Sequence, residues 1–472
     1  MRSSREKTPR EQRPVSRGAK IAGNTIKVLL FVGLLVFVNA LITLALEPYG
    51  TAAEVTWHDY RLSADEDIDT LIIGSSFSQR NADPYALDEV LGSNSFSLST
   101  PAQSFSNGLA ALETAAKDHD IKRAVVFVGP ESFQTEPWFN AQVTFMQAKS
   151  QGESIPDILG NVGRLVFDDV NFASSKSITW MFPWCYSSVG YDAQAIRDNI
   201  QNRLNYPNPI DAASVVDPTW HYMGKGHGGY EGRFDRDRKW LTEVSITNDA
   251  PFLDKNIADF TKLLDFAESH GIELYVGIAP RPEYANLIHQ EDGYRDLMAW
   301  LQTFVEEHGG VYYDFNLTRP EFYRPEEDEF SDSQHLNIEG GQHLCRALGT
   351  LIAEREAGKD VSSHLFSYDD WDAYLASYRA VEYVYFTYEL KYEDRIVEVT
   401  AHSISRPGET IEYKYDVLNP TNDMLANVRP YDTDPVYRFA MHEGHGDVRL
   451  CLSARPQGST EATRVFRADI FY

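Results

Sequence analysis

Two short motifs carry the residues that could do covalent chemistry. A Gly74-Ser75-Ser76 turn follows one apolar run, and Asp332 and His335 stand three residues apart after a much later one. A serine on a strand-to-helix turn can present its hydroxyl clear of a sheet, and a histidine oriented by an aspartate can remove that hydroxyl's proton. Each motif is weak alone, because serine is a common helix cap and a loop acid near a histidine often arises by chance. The prediction therefore depends on whether the fold brings them together.

The elements around these motifs predict such a meeting. Apolar runs typical of buried strands alternate with amphipathic helical patterns, which is typical of an α/β fold with a doubly wound parallel sheet. The predicted strands are 69–73, 95–99, 124–128, 272–279 and 311–315, and the predicted helices are 107–119, 254–270, 291–308 and 338–357. Sites of such folds form where loops leave the carboxyl ends of the strands. We therefore expect Ser76, after the first strand, and His335, after the last, at one edge of the sheet.

The order and strand placement of the motifs resemble those of the SGNH (GDSL-like) hydrolase superfamily, over residues 67–357. Three residues that follow the histidine are also family-like: Leu336, Asn337 and Gly340. The resemblance implies a flavodoxin-like sheet, with Ser76 as nucleophile, His335 as general base and Asp332 orienting the histidine. An acyl-enzyme would be the intermediate, and no cofactor is implied.

The sequence departs from this family at the blocks that usually supply oxyanion donors. Ser75 stands at the family's aspartate, residues 100–104 replace a glycine block, and residues 129–132 replace a Gly-x-Asn block. Substitute contacts to oxyanion or substrate are sought among polar residues at the same edge: Ser75, Gln103, Ser104, Glu131 and Arg281. For the last two, an ordinary solvated loop charge is the open alternative.

The N-terminus predicts a single membrane anchor. Residues 28–46 carry no charge, and at 1.5 Å per residue they span about 28 Å, close to the hydrocarbon thickness of a bilayer. Residues 1–27 hold eight basic and two acidic side chains, so the positive-inside rule places the N-terminus in the cytoplasm and the later residues outside. A cleavable signal peptide is the alternative, although the charged region is long for one.

Composition narrows the classes of ligand and of metal site that the chain could have. The net charge is −27, from 43 basic and 70 acidic residues, which disfavours nucleic acid as a ligand because phosphate neutralisation needs a basic surface. The cysteines Cys185, Cys345 and Cys451 lack zinc-site spacing and are expected as buried free thiols. His442 and His445 stand in a predicted turn, and we predict no metal site there.

At 472 residues the chain is too long for one ordinary domain. The predicted parts are a cytoplasmic basic arm (1–24), a transmembrane anchor (25–46), a stalk (47–66), the α/β domain (67–357) with an irregular insertion at about 140–250, a linker helix (358–378) and an all-β sandwich (379–472). The last part has short β-branched and aromatic runs separated by turns, and it loosely resembles extracellular immunoglobulin-like modules. Its predicted strands are 381–390, 395–403, 410–418, 436–441, 447–454 and 463–470.

Together these features predict a cell-surface, single-pass enzyme that moves an O-acyl group onto or off an envelope polysaccharide or teichoic-type polymer. The Gly-Ser-Ser start, the anchor and the insertion resemble the anchored SGNH-like proteins of teichoic-acid D-alanylation and alginate acetylation. That resemblance implies a membrane-bound O-acyltransferase as partner. Two alternatives stay open: an extracellular carbohydrate esterase that releases free acid, and a catalytically inactive scaffold that holds partner and polymer.

Overall fold

A computed structural model of the protein describes residues 17–164, 192–233, 251–282, 293–419, 424–441, 447–460 and 464–472. Cys185, His442 and His445, considered above, lie outside these residues. Cys345 and Cys451 are both buried free thiols, as predicted.

Strands occur in an N-terminal and a C-terminal set. The first set comprises β1 (Thr70–Ile73), β2 (Ser95–Ser97), β3 (Arg123–Val128), β4 (Trp220–Gly224), β5 (His227–Tyr230), β6 (Glu273–Ile278) and β7 (Val311–Asp314). The second comprises β8 (Val381–Lys391), β9 (Ile396–Ser405), β10 (Ile411–Leu418), β11 (Met424–Asp432), β12 (Val436–Ala440), β13 (Asp447–Pro456) and β14 (Arg464–Phe471).

Helices precede and surround the first set of strands. In chain order they are α1 (Arg17–Leu46), α2 (Ala52–Leu62), α3 (Ser76–Asn81), α4 (Pro84–Leu91), α5 (Phe105–Asp118), α6 (Glu131–Gln134), α7 (Phe139–Ser150), α8 (Ile155–Arg164), α9 (Ala193–Asn205), α10 (Pro209–Val216), α11 (Asp254–Ser269), α12 (Tyr294–Glu307), α13 (Ile338–Glu356) and α14 (Trp371–Ala376). Short 3₁₀ turns occupy Glu327–Glu329, Ser362–His364 and Tyr368–Asp370.

Within the described residues, five strands form a parallel sheet in the order β2-β1-β3-β6-β7. The predicted α/β class is confirmed at this level. Leu71 and Ile73 of β1 join one core cluster, whereas Ile72 joins another, so apolar layers cover both faces of the sheet. Since β2 lies on one side of β1 and β3 on the other, the strand order reverses between β1 and β3, which is the position at which open α/β sheets commonly bind ligands.

Residues 47–66, predicted as a stalk, instead contain the packed helix α2. Ala53, Trp57 and Tyr60 recur at helical spacing and are buried in the core cluster on one face of the sheet. Thr51 caps the helix by accepting a hydrogen bond from the Glu54 N–H at 3.3 Å. The segment after α1 is therefore part of the α/β domain. Among the described residues, Ala22–Leu46 of α1 is long and apolar enough to cross a membrane, and none of its most apolar window is buried.

The insertion and the linker are also more ordered than expected. The described part of residues 140–250 holds most of α7, α8 to α10 and an antiparallel β4–β5 hairpin. In the predicted linker helix, only the short α14 is α-helical, and Phe366, Tyr368 and Tyr374 pack into the core beside the sheet. The linker and most of the insertion bury apolar side chains that have no strong period, which is why the sequence pattern did not reveal them, whereas α8 has an apolar period that the sequence analysis missed.

The C-terminal residues form antiparallel sheets, β11-β10-β13-β14 and β12-β9-β8, around a shared core. Burial alternates along β10 residue by residue, as a half-buried strand requires. Strand β11 was not predicted, because its sequence contains proline and asparagine in place of an alternating apolar run.

Candidate functional site

The serine motif is shaped by the glycine that precedes it. Gly74 ends β1 with φ +121°, and a Cβ there would lie 2.5 Å from the Ser78 Oγ, so a side chain is excluded. Ser75 then caps α3, accepting from the Phe77 N–H at 3.4 Å. Ser76 is the first residue of this helix, and its hydroxyl lies at the carboxyl edge of the sheet.

The histidine motif lies on the loop between β7 and α13. The Leu336 N–H donates to the Asn81 Oδ1 of α3 at 2.9 Å, which ties this loop to the end of the serine helix. Asn337 caps α13 by accepting from the Gly340 N–H at 3.0 Å. The family-like tail after the histidine therefore has a structural role, because it fixes the loop against α3 and starts the last helix.

The structure brings the three predicted catalytic side chains together. His335 Nε2 lies 2.9 Å from the Ser76 Oγ. On the other side of the ring, His335 Nδ1 lies 2.9 and 3.0 Å from the two carboxylate oxygens of Asp332. This is the geometry of a nucleophile, a general base and an orienting acid, and Ser76 is more than 250 positions from the other two residues in the chain.

The surroundings keep the imidazole neutral and the carboxylate charged. Burial lowers the pKa of His335, the bond to Asp332 opposes this, and the charges of Arg80 and Arg281 lower it further. Burial alone would raise the pKa of Asp332, but hydrogen bonds from His335 and Gln334 and the charge of Arg80 bring it to about 2. The Phe77 ring stacks on the imidazole with centroids 5.4 Å apart. A base in this state is ready to accept the serine proton near neutral pH.

Arg80 belongs to the site, although the sequence reasoning missed it. Its Nη1 donates to the Asp332 Oδ2 at 2.8 Å, and its guanidinium lies 4.3 Å from the centre of the Tyr230 ring of β5. The usable signal was its position four residues after Ser76, which places both on the same side of a helix. Tyr230 brings the insertion into the site, since the β4–β5 hairpin supports the arginine that holds the Asp332 carboxylate.

Glu131 and Arg281, predicted as loop charges at this edge, form an ion pair. The Arg281 Nη2 donates to both carboxylate oxygens of Glu131, at 2.7 and 2.8 Å, and the arginine side chain is only 5% exposed. The guanidinium also lies 5.3 Å from the centre of the Phe77 ring. The ion pair therefore packs against Phe77, the residue after Ser76. Arg281 is buried and is not a solvated loop charge.

Gln103 and Ser104 have local structural partners. The buried Gln103 side chain accepts from the Gly74 N–H at 2.7 Å and donates to the Leu98 carbonyl at 2.8 Å and to the Thr100 hydroxyl at 3.2 Å. Both of its amide protons are thus used in bracing the serine turn. Ser104 caps α5 and accepts from the Asn107 N–H at 3.2 Å.

A cleft of about 480 Å³ borders Asp332, at the carboxylate end of the triad. It is lined by Arg80 and Asp332 on one side and by His221, Tyr230 and Glu231 of the hairpin region on the other. The described residues contain no cluster of side chains that could hold a metal ion, and His227 is buried away from the cleft. The cleft therefore offers hydroxyl-, carboxylate- and ring-bearing contacts beside Asp332, whereas Ser76 and His335 are not among the residues that line it.

No protein-family model matches the sequence, and no curated protein is significantly similar to it.

Proposed function

We propose that this chain is a membrane-anchored serine enzyme of the SGNH type that transfers an O-acyl group to a hydroxyl acceptor outside the cytoplasm. The observation that carries the proposal is the hydrogen-bonded series Ser76–His335–Asp332 at the carboxyl edge of a parallel sheet. The strand order supports the flavodoxin-like arrangement that the resemblance implies.

The chemistry follows from the proton positions. His335 Nε2 removes the Ser76 proton while the Oγ bonds to the carbonyl carbon of an acyl ester. When the tetrahedral intermediate collapses, the ester C–O bond breaks and the imidazolium gives its proton to the departing alkoxide. The acyl group then remains on Ser76. A second hydroxyl, deprotonated by His335, attacks this acyl-enzyme, and the serine leaves with its proton restored.

The developing negative charge needs a donor near Ser76. As the first residue of α3, Ser76 has a backbone N–H that the helix itself does not use. The Glu131–Arg281 pair, packed against Phe77, adds a fixed dipole at the same edge. We assign the first role to the Ser76 N–H and a supporting role to Arg281, in place of the glycine and asparagine blocks that this sequence lacks.

The acceptor and the partner belong to the wider proposal. The apolar helix α1 would anchor the enzyme, and the basic residues before it would keep the N-terminus in the cytoplasm. An open cleft lined by a tyrosine and by polar groups suits a sugar hydroxyl of an envelope polysaccharide or teichoic-type polymer. A membrane-bound O-acyltransferase would supply the acyl group, as the resemblance implies.

An esterase is the second candidate, and one observation favours it. The Asp332 side chain is 41% exposed, so water reaches the edge of the triad and could replace the hydroxyl acceptor. We rank the catalytically inactive scaffold lower, because the Asp332 carboxylate lies within 3.0 Å of the imidazole and orients it as a working triad requires.

Trapping the acyl-enzyme tests the proposal. We would treat the full-length protein in detergent micelles with p-nitrophenyl acetate and follow the burst of p-nitrophenol and the mass of the intact protein. Wild type should gain one acetyl group per chain, and Ser76→Ala should gain none. Ser269→Ala, which removes an exposed hydroxyl of α11, is the matched control and should behave as wild type.

The product formed when an acceptor is present distinguishes the transferase from the esterase. With a neutral oligosaccharide present, a transferase should form acylated sugar, whereas an esterase should release only acetate. A folded wild-type protein that shows neither burst nor acetylation would contradict both and would favour the scaffold.

A further inference from the structure

Helix α8 has one apolar face that the fold leaves largely uncovered. Four apolar residues recur at spacings of three and four positions, which places them on one side of the helix: Ile155, Ile158, Leu159 and Val162. Ile155 is 75% exposed and Leu159 is 64% exposed. Leaving such side chains in water is unfavourable, because burial of apolar surface stabilises a folded chain.

Asn161, beside the apolar residues of α8, fixes the helix to the protein. The buried Asn161 donates from its Nδ2 to the Ser150 Oγ at 2.8 Å and to the Glu153 carboxylate at 2.6 Å. Its Oδ1 accepts from the Lys149 Nζ at 3.1 Å. The helix therefore cannot rotate to hide its apolar residues without breaking a buried polar network.

The apolar face continues into a groove beside the anchor helix. Ile158 and Val162 form one wall of a cavity of about 530 Å³, and Val143 and Met146 of α7 also line it. The facing wall is the outer end of α1, including Leu44. This volume lies in the ordinary range for small-ligand sites.

The groove has a polar outer end. The Arg203 Nη2 donates to the Glu47 carbonyl at 2.7 Å and lies 3.5 Å from the Glu47 carboxylate, and both residues line the groove. Asn199 of α9 donates to the carbonyls of Ala45 and Glu47, which fixes this end of α1. From Asn39 to Glu47 the groove follows α1 for about 12 Å at 1.5 Å per residue.

This polarity matches one leaflet of a bilayer. The groove lies along the outer end of the membrane-crossing stretch, which ends at Leu46, and the polar Asn39, Thr43 and Gln147 line it together with the apolar side chains. Its charged pair, Glu47 and Arg203, lies where α1 leaves that stretch. A bilayer that accommodates α1 must therefore surround the open side of the groove. A water-soluble ligand would have to reach it through lipid, and an aqueous route would leave Ile155 and Leu159 unexplained.

We propose that the groove binds an acyl chain of an outer-leaflet phospholipid, and that α8 lies in the membrane interface with its apolar face towards the lipid. The inference rests on the membrane anchorage proposed above, and it does not depend on the chemistry of the triad. These lipid contacts would hold the α/β domain at a fixed orientation close to the membrane surface.

Photocrosslinking tests this site directly. The full-length protein would be reconstituted into phosphatidylcholine vesicles that contain a small share of the same lipid with a diazirine in its acyl chain. After irradiation, we expect lipid adducts on peptides 143–147 and 155–162 as well as on α1. In the double variant Ile158→Asn, Val162→Asn, the amount of lipid adduct on α8 should fall at least fivefold. Val465→Asn, which changes an exposed apolar residue of β14, should lose none.

Vesicle flotation separates the two ways of failing. If the protein floats with the vesicles but wild-type adducts are confined to α1, the anchor stands and the lipid groove is contradicted. If the protein stays in the aqueous fraction, anchorage and groove are both contradicted. Since the wild-type adduct map alone distinguishes these outcomes, a poorly folded variant would not obscure them.

Discussion

At the scale of single residues, the site is organised around the carboxylate of Asp332. Its Oδ1 accepts from the N–H groups of Gln334 and His335 at 2.8 and 2.9 Å, while its Oδ2 accepts from Arg80 at 2.8 Å. These donors leave the carboxylate one orientation, towards the Nδ1 of the imidazole. The ring is thereby held with Nε2 facing Ser76, which is what the proposed proton transfer requires.

Arg80 should tune the base as well as position the acid. Its charge lowers the pKa of His335, so Arg80→Gln should raise that pKa. The base works only when neutral, and activity is lost as pH falls through its pKa. The acid limb of the rate of acylation by p-nitrophenyl acetate should therefore move to higher pH, with a several-fold loss at pH 6. Arg346→Gln, a change in an exposed pair with Glu89, is the control and should leave the profile in place.

The ionisation of Asp332 should also make the stability of the folded chain depend on pH. Its pKa falls from 3.8 to about 2 in the folded chain. A depressed acid pKa contributes stability that is present above the unfolded value and is lost as pH falls through the folded one. The melting temperature of wild type should therefore exceed that of Asp332→Asn by more at pH 5 than at pH 2.5. A difference that is constant over this range would contradict the assigned ionisation.

At the scale of elements, α2 supports the sheet although it follows the apolar helix directly. Trp57 packs at right angles near Tyr60 and Phe145, with ring centroids 5.5 and 5.6 Å apart. Trp57 thus joins the helix to α7 of the insertion, and Tyr60 joins it to Phe96 of β2, with ring centroids 5.5 Å apart. A free stalk would have no such contacts.

Substitutions along α2 should separate a packed helix from a stalk. Trp57→Ala should lower the free energy of unfolding by about 3–5 kcal/mol, as for other buried aromatic residues. Leu62→Ala, at a position 66% exposed on the same helix, should change it by less than about 0.5 kcal/mol. Chemical denaturation of the full-length protein in detergent measures both, and equal effects would contradict the packing described here.

Most elements of the α/β sheet had a strong apolar pattern and were predictable, although the amphipathic α8 was not recognised. The strand at 124–128 was recognised because a strand buried on both faces is a continuous apolar run. Ser76 and His335 followed from their places after strands. The pairing of Arg80 with Asp332 could not be assigned from sequence, because the two lie 252 positions apart and charge pairs at that distance leave no local pattern. The spacing of Arg80 from Ser76 was the one local signal. The α2 helix was missed because acidic residues mask its short apolar face.

At the scale of the whole molecule, charge is divided unevenly along the chain. The net charge is −27 even though residues 1–27 are basic, so the excess of acid lies in the part proposed to work outside the membrane. Such a surface repels polyanions over a distance set by the ionic strength.

This charge predicts how acceptors should be discriminated. For an anionic polymer acceptor, KM should fall as salt rises from about 0.01 to 0.15 M, because the Debye length shortens from about 30 to 8 Å. For a neutral polymer of the same length, KM should stay constant. Steady-state transfer assays with both polymers measure this, and an anionic acceptor that binds more weakly at higher salt would point to a local basic groove.

The most direct test asks whether Ser76 is an activated nucleophile. The full-length protein in detergent would be treated with a fluorophosphonate probe, alongside Ser76→Ala, His335→Ala and the control Ser269→Ala. We expect labelling of wild type and of the control, located at Ser76 by mass spectrometry, and loss of labelling in the other two variants. A folded wild-type protein that is not labelled, or that is labelled at another residue, would contradict the proposed serine chemistry.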